Sequence, residues 1–410
     1  GSAVFPGEPA IQITAKDGYG ELAAWFETKL LQVWATSERA SMMRHWLDYN
    51  KALVQQCSDK PLEDAEATSR AQMMLADFSD RSSMTPQESE LLGMANLTSF
   101  PTTATISAAY KAFQESGNNA AGSLSMYSLA HRIVEGYENE GDAYLALFNF
   151  TKQAKSGIGS YVADCYDYKR AVREFLIPLA LKAKAEADTG GNVTIVCARP
   201  DSGDPYKMVK YALDQAVKAG LYKEVTAADG RTLKAMTFLR VVQADGMNFQ
   251  TMRDINEKLI KDGYSPPDCV IYGVGGTLHD SLSRSNSSAA QKLAAVGGRL
   301  RRVMKSPVIW EGEKKVVETG KESVPGVVKL VRDGMDGPTV RYPEEDGESA
   351  YITYYDGIDG EGVTYREDFR RVRQRVLEDF WHDPKPAQIL SDDILAEKAE
   401  LHKHHHGVEA

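Results

Sequence analysis

Ile195-Val196-Cys197-Ala198-Arg199-Pro200-Asp201-Ser202-Gly203-Asp204-Pro205 is an apolar, β-prone run that ends in an arginine, two acids, a serine and a glycine. A helix-like segment starts at once after it. In α/β proteins, functional groups gather where strands end and helix N-termini begin. At such an end Arg199 suits an anion, Asp201 suits sugar hydroxyls, and Gly203 lets the backbone come close to a ligand.

The same alternation continues downstream. Val193–Ala198 reads as a strand, and Asp204–Ala219 follows with Met208, Val209, Tyr211, Ala212 and Ala216 at helical spacing and a stop at Gly220. Phe238–Ala244 is the next strand and Asn248–Lys261 the next helix. Cys269–Val274 is a third strand and runs into Gly275-Gly276. Three βα units in series predict a parallel sheet or barrel with right-handed crossovers. The strand runs are continuously apolar, as expected when both faces are covered.

Upstream the chain is helix-rich. Glu21–Trp34 carries Leu22, Trp25, Phe26, Leu30, Leu31 and Trp34 at helical spacing, which predicts a core-packed helix. Phe148–Asp164 reads as the tail of one βα unit and Tyr168–Ala187 as a long helix. After Pro307, the short β-prone pieces Lys315–Thr319, Val327–Arg332 and Ala350–Tyr355 alternate with turns, which predicts a small antiparallel domain rather than more barrel. The polar stretch from Glu397, with His402-Lys403-His404-His405-His406, reads as a flexible surface tail, with metal binding by the histidines as the alternative.

With 410 residues and 42% apolar content, the chain can bury a core large enough for one large domain and a smaller one. The formal charge of -10 argues against nucleic acid as the main partner. No apolar run approaches the roughly 18 residues of a membrane span. The first residues lack the charged and apolar regions of a signal peptide. Cys57, Cys165, Cys197 and Cys269 have no metal-ligand spacing and read as reduced thiols of a cytoplasmic protein.

Several further motifs can carry chemistry. Tyr272-Gly273-Val274-Gly275-Gly276-Thr277 follows a strand, where glycines let backbone N–H groups face phosphate oxygens without a Cβ in the way. Its spacing fits neither the dinucleotide fingerprint nor a Walker loop. A tight turn is the alternative for this motif taken alone. Arg284 and Lys292 follow it, and Arg299, Arg301, Arg302 and Lys305 cluster just beyond, which favours phosphate over a merely solvated face. Gln243-Ala244-Asp245-Gly246 ends another strand. Asp77-Phe78-Ser79-Asp80-Arg81 offers an aromatic face for a planar base beside an arginine, or a surface loop with one anchored Phe. His131 lies in Ser128-Leu129-Ala130-His131, where a structural histidine is the plain alternative. Asp164-Cys165-Tyr166-Asp167 provides two carboxylates near a strand end, one of which can simply cap the next helix.

Taken in order, these motifs resemble the nicotinamide and nicotinate phosphoribosyltransferases, from Val4 to about Pro384. The matching pieces are Val4-Phe5-Pro6-Gly7-Glu8-Pro9, Asp77-Phe78 with Arg81, Ala130-His131, Asp164-Cys165-Tyr166-Asp167, Arg199-Pro200-Asp201-Ser202-Gly203, Gln243-Ala244-Asp245-Gly246 and Gly273-Val274-Gly275-Gly276. The resemblance implies an α/β fold, an irregular (β/α) barrel with a second, smaller α+β domain made partly from the C-terminal region. It implies a remnant of a small N-terminal domain over 1–20, the barrel over 21–306, the C-terminal part of the small domain over 307–396 and a tail over 397–410. A homodimer is implied as well.

The implied reaction joins a pyridine base to phosphoribosyl pyrophosphate, giving the mononucleotide and pyrophosphate. By the same resemblance Phe78 stacks on the base, with Arg81 and Arg199 around base and phosphates. Asp201 holds ribose hydroxyls. Asp245, Gly246, Gly275 and Gly276 receive the 5′-phosphate with Arg284 nearby, while Lys292 and Lys305 face pyrophosphate. His131 matches the histidine that some members phosphorylate from ATP. Mg²⁺ is expected on the phosphates, with Asp164 or its neighbours holding its waters. The catalytic set expected from the sequence is thus His131, Asp201 and Asp164.

The pattern departs in two places. Nicotinamide-using members carry an acid that accepts from the substrate amide, at a place matching Thr103-Ala104, and neither residue is acidic. Ala130 before His131 is nicotinate-like, whereas Arg199–Gly203 and Gly275-Gly276 are nicotinamide-like, so nicotinamide is favoured with nicotinate as the alternative. The family's N-terminal segment, which lends an aromatic to the partner subunit's base site, is missing. A reading of another class is therefore a non-catalytic nucleotide-binding subunit or fragment. An aldolase or isomerase barrel ranks last, because no lysine stands at a strand end.

Overall fold

Five of the six strands in the main sheet are runs that bury nearly every residue, so both faces must be covered, and a parallel sheet with helical crossovers meets that need. They are β1 (Leu75–Asp77), β2 (Tyr127–Ser128), β3 (Ile158–Val162), β4 (Ile195–Arg199), then, after a separate antiparallel hairpin of β5 (Tyr222–Thr226) and β6 (Thr232–Met236), β7 (Leu239–Gln243) and β8 (Val270–Val274). The exception is β2, which is exposed. The order across the sheet is β1-β8-β7-β4-β3-β2, and every pairing is parallel. In this computed structural model the described residues are 4–118, 122–154, 157–280, 282, 284–297, 301–332, 338–357, 362–363, 365–378 and 388–406.

The sheet curls. Ala76, Cys197, Val242 and Ile271, from four different strands, meet in one buried cluster with Phe78, Met126, Ile158 and Ile195 packed against them. Burying each large aliphatic side chain contributes roughly 1.5–3 kcal/mol. Two isolated parallel bridges connect the outer edges, Asp77↔Thr103 and Thr102↔Leu124, and Leu124 stands three residues before β2. The backbone bonds Asp77 N to Thr102 O (3.0 Å) and Thr103 N to Leu124 O (3.1 Å) lie along this path. The curled six-stranded parallel sheet fits the expected α/β barrel.

Local chemistry sets where the helices start. Asp204 caps the helix Pro205–Lys218, its side chain accepting from Lys207 N at 2.8 Å with Pro205 in the first position. Asn248 does the same for Phe249–Lys261 through Thr251 N (2.9 Å). Asp167 accepts from Arg170 N (3.1 Å), so it is the capping member of the pair Asp164 and Asp167. The helical run after it continues from Tyr168 to Asp188 through a π-helical turn at Ala171–Leu176.

The chain divides into two compact units, residues 35–286, which hold the sheet, and residues 1–34 with 287–410. In the second unit two of the three β-prone pieces lie in antiparallel pairs, Val308–Glu311 with Lys314–Val317 and Lys329–Val331 with Thr339–Arg341, while of the third, expected over Ala350–Tyr355, only Tyr355 is in a strand. Val328, Leu330, Val340, Tyr342 and Ile394 form its buried cluster. Residues expected as a tail lie instead in the helix Asp392–His406, where buried His402 pairs with Glu322 (Nε2 to Oε1, 2.6 Å). Ile394 anchors the start of this helix in the apolar cluster, but from Glu397 onward its contacts are ionic, Glu397 with Arg302 and Lys398 and His402 with Glu322, and a polar composition hid that part.

The helix expected over Glu21–Trp34 is two helices, Gly20–Trp25 and Glu27–Gln56. Leu22, Trp25 and Phe26 are exposed, which corrects the expectation that they are core. Helical spacing establishes an apolar face but not what covers it. Among the described residues, no helix is long and apolar enough to cross a membrane.

Candidate active site

Because all six strands of the sheet run parallel, their C-terminal ends share one rim. Phe78 and Arg81 follow β1, His131 follows β2, Asp164 follows β3, Arg199 ends β4 with Asp201 after it, Asp245-Gly246 follow β7 and Gly275-Gly276 follow β8. Of the residues expected from sequence, these ten lie on that rim. Arg284 begins the short helix Arg284–Ser287, and its side chain lies outside the described residues. Lys292 and Lys305 belong to the other unit, where Lys292 Nζ donates to Gln291 O (2.8 Å). Of the neighbouring basic run, Arg299 lies outside the described residues. Arg302 stacks on Tyr342 with 3.6 Å to the ring centroid and pairs with Glu344 and Glu397, a structural engagement.

The tightest group is acidic and histidine-centred. His131 Nε2 donates to Asp164 Oδ1 at 3.1 Å, and its Nδ1 stands 3.9 Å from Asp201 Oδ2. Ser202 Oγ donates to the other oxygen of Asp164 at 2.6 Å. With its side chain only 7% exposed and both oxygens engaged, Asp164 acts here as an orienting acceptor. Asp201 is more open, with a side chain 30% exposed. Gly203 reaches φ +87° and Gly246 +64°, the left-handed backbone that lets each turn double back beneath the rim.

Arg199 is clamped by Nη1 to Ser128 Oγ and Nη2 to Leu129 O, both at 2.7 Å. Burial lowers its guanidinium below the ordinary arginine range. Asp201 and Asp164 act in the opposite sense, while the charge of Arg81 adds to the lowering. Cys165 stands beside Asp164, and burial, with Asp164 adding to it, pushes its thiol up to about 11. That thiol is an unreactive neighbour rather than a nucleophile.

Phe78 packs on the end of β8. A Cβ on Gly273 would lie 2.4 Å from Phe78 Cε2 and 2.6 Å from Cδ2, so only glycine leaves room for the ring. Asp77, fully buried, holds the start of the loop: Oδ1 accepts from Ser79 N (2.9 Å) and Ser79 Oγ (2.6 Å), and Oδ2 from Thr103 Oγ1 (3.1 Å). Gly275 and Gly276 have no positive φ. Their lack of a side chain serves close approach instead, since a Cβ would meet Phe78 O at 3.4 Å and Ser82 Oγ at 3.3 Å. Thr277 Oγ1 donates to Met247 O, which ties this turn to the Asp245-Gly246 turn.

Sequence reading missed Ser128, Ser202, Asp77 and Thr277 as supporting groups. All four lie inside the motifs named above, and for the two serines and Thr277 a hydroxyl beside a candidate Arg, Asp or Gly is the available signal. Among the described residues, no group of three or more His, Cys, Asp or Glu side chains is arranged to hold a metal ion.

Strand ends of one parallel sheet that carry arginines, an oriented histidine and a glycine turn are those of an α/β protein with its polar groups gathered on one rim. The model of the nicotinate phosphoribosyltransferase (NAPRTase) family matches residues 73–336, and the chain belongs to that family. It is similar to the nicotinamide phosphoribosyltransferase of Xanthomonas campestris pv. campestris (strain 8004), 30% identical over 319 residues, covering 77% of this chain and 62% of the relative. It is also similar to the nicotinamide phosphoribosyltransferase of Acinetobacter baylyi (strain ATCC 33305 / BD413 / ADP1), 24% identical over 335 residues, 78% of this chain and 63% of the relative. The chain thus spans slightly less than two thirds of the length of these curated relatives.

Proposed function

We propose that the chain transfers a phosphoribosyl group from phosphoribosyl pyrophosphate to a pyridine base, releasing pyrophosphate and forming a mononucleotide for NAD biosynthesis. The observation that supports it most is the grouping of Arg81, Arg199, Asp201 and His131 on the rim that also carries Phe78 and Gly275-Gly276. Displacement at the sugar C1 passes through an electron-poor, oxocarbenium-like centre, so the protein's work is to orient the base and stabilise the departing charge. Phe78 offers the base a planar face. Arg81 and Arg199 meet phosphate or pyrophosphate oxygens, Asp201 accepts from ribose hydroxyls, and the turns at Asp245-Gly246 and Gly275-Gly276 receive the 5′-phosphate.

Asp164 orients His131, which is the group placed to take a phosphoryl from ATP if the reaction is coupled to it. Mg²⁺ fits as an ion held chiefly by substrate phosphates, since the rim supplies no three-ligand protein site among the described residues. Bound there it neutralises pyrophosphate charge, and the more open Asp201 suits its waters better than the engaged Asp164. By the family resemblance the active form is a homodimer in the cytoplasm, its barrel accompanied by a smaller α+β domain.

Nicotinamide is the favoured base, in line with the names of both relatives. One observation favours nicotinate as the second reading. Thr103 is buried and bonded to Asp77, and neither it nor exposed Ala104 supplies an acid for a substrate amide. The test incubates the protein with phosphoribosyl pyrophosphate, Mg²⁺ and either base, with and without ATP, and measures mononucleotide and pyrophosphate. Release with one base selects it; none with either base under any condition rejects the transferase reading.

A further inference from the structure

The short helix Thr277–Asp280 continues the glycine turn, and its third residue reaches back to another strand end. His279 is 14% exposed at its side chain. Its Nε2 lies 3.3 Å from Ser79 O and 3.4 Å from Ser83 Oγ, both on the loop that carries Phe78 and Arg81. A carbonyl can only accept, so Nε2 carries the proton and donates to Ser79. On the other side of the ring, Nδ1 lies 3.6 Å from Glu88 Oε1, on the helix Pro86–Leu97 that follows the loop.

The backbone of the same turn is fixed independently. Leu278 N donates to Gly275 O (3.0 Å) and His279 N to Gly276 O (2.8 Å). From beneath, the fully buried Arg39 donates through Nη2 to Leu278 O at 2.6 Å. The turn is thus held from within and from below, while the loop Ser79–Ser83 is held at its start by Asp77, through Ser79 N and Oγ, by one 3₁₀ turn closed by Ser82 N to Ser79 O (2.9 Å) and Ser83 N to Asp80 O (3.2 Å), and by Ser89 Oγ donating to Asp80. His279 is the side chain that connects these two separately held elements.

We propose that His279 is a positioning residue that fastens the Phe78–Arg81 loop to the glycine turn. Occupation of the turn by a phosphate group then also fixes the wall formed by the aromatic ring and the arginine. This second half rests on the phosphate reading of the turn given above; the fastening itself does not. His279 touches no reacting atom, and its effect on ligands passes through Ser79 and Ser83.

Hydrogen exchange on the full chain tests both halves. His279→Leu removes the donor at similar bulk, and His279→Gln keeps an amide donor that reaches Ser79 O. Without ligand, the Ser82 and Ser83 amides should exchange roughly fivefold faster in the Leu variant, as for loss of one hydrogen bond, and within twofold of wild type in the Gln variant. If the Leu variant does not fold, His279→Asn replaces it, because that shorter amide does not span to Ser79. Equal rates in wild type and in the variant lacking the contact overturn the proposal, as does failure of Gln to restore the rate.

The ligand half uses phosphoribosyl pyrophosphate with Mg²⁺ and, separately, inorganic phosphate. Protection of Ser79–Ser83 in wild type and the Gln variant, absent in the Leu or Asn variant, is the expected result. Faster basal exchange in the variant combined with no protection of wild type by either probe supports the fastening and rejects the phosphate reading of the turn. Under turnover, loss of the fastening should raise KM for the phosphoribosyl donor more than it lowers kcat, and Gln should restore KM.

Discussion

The ring of Phe78 rests where a Cβ of residue 273 would have to stand, with Cε2 only 2.4 Å from that position. The glycine and the aromatic therefore specify each other across the β1–β8 pairing, in which Ala76 is the register partner of Gly273. Gly273→Ala should displace the ring or the strand and cost about 1–3 kcal/mol by denaturant unfolding. Phe78→Leu in the same background should recover part of that loss. Additive costs in the double variant would show that the two residues are not in conflict.

Asp164 is the one carboxylate shared by His131 and Ser202. Asp164→Ala frees the histidine ring and should lower turnover by about 10²- to 10⁴-fold, the range for a misplaced acid–base group. Affinity for the pyridine base should change far less, because Phe78 stands on a different strand end. Equal losses in both quantities, followed by titration calorimetry and steady-state rates, would remove the orienting role from Asp164.

Arg199 uses two separate nitrogens on Ser128 and Leu129, so its planar fork is set before any ligand arrives. Arg199→Lys keeps the charge and loses the fork. Binding of inorganic pyrophosphate should weaken by about tenfold or more, as expected when a charge-assisted bond of roughly 1.5–3 kcal/mol is lost. Unchanged pyrophosphate affinity in the lysine variant would place the anion elsewhere on the rim.

The buried thiols give a pH dependence with a definite sign. Burial pushes Cys57 up to about 11, and Cys197 and Cys269 up to about 12. Unfolded thiols release protons from about pH 9, whereas the folded ones hold theirs. Their contribution to stability is thus complete below pH 9 and is lost as pH rises through 11 to 12. The thermal midpoint should fall steadily above pH 9, and Cys197→Ala should flatten that fall. At pH 8 an alkylating reagent should reach Cys165 before the other three, which are buried.

Arg39 is a fully buried cation, held by Leu278 O and by Asn96 Oδ1 at 3.3 Å, and burial lowers its guanidinium to about 10. Replacing it with Met removes the charge but leaves both acceptors without their donor, so Arg39→Met should cost about 1–3 kcal/mol. The loss should appear as faster exchange at Thr277–Asp280 before it appears elsewhere. A stability gain would mean that the buried charge, not the hydrogen bonds, dominates at this position.

The strand ends were legible because their chemistry is local. Arg199-Pro200-Asp201-Ser202-Gly203 and Gly275-Gly276 each join an apolar run to polar and flexible residues within a few positions, and β4, β7 and β8 fall where those runs predict. The pairing of Thr103 with Asp77 and of His279 with Ser79 was not legible. Each depends on residues 26 and 200 positions apart, and no local pattern encodes such contacts. Nor does helical spacing reveal that Trp25 and Phe26 face outward, or a polar run that His402 turns inward onto Glu322.

The circumference of the sheet is not uniform. Between β3 and β4 five residues pair in register, while the return from β1 towards β2 rests on the single-residue bridges at Thr103 and Thr102. The stiffest and the softest arcs of the ring therefore lie on different sides of the rim. Asp164, Arg199 and Asp201 stand on the arc with the longest register, and Phe78 and Arg81 stand next to the arc built from single bridges. Local opening should begin at β2, whose two exposed residues pair at only two positions, and spread towards Leu124 and the bridges at Thr102 and Thr103. A ligand that bridges the two arcs closes the ring as a cross-link does, and its tightest signature will be slowed exchange at Thr103, a residue it need not touch.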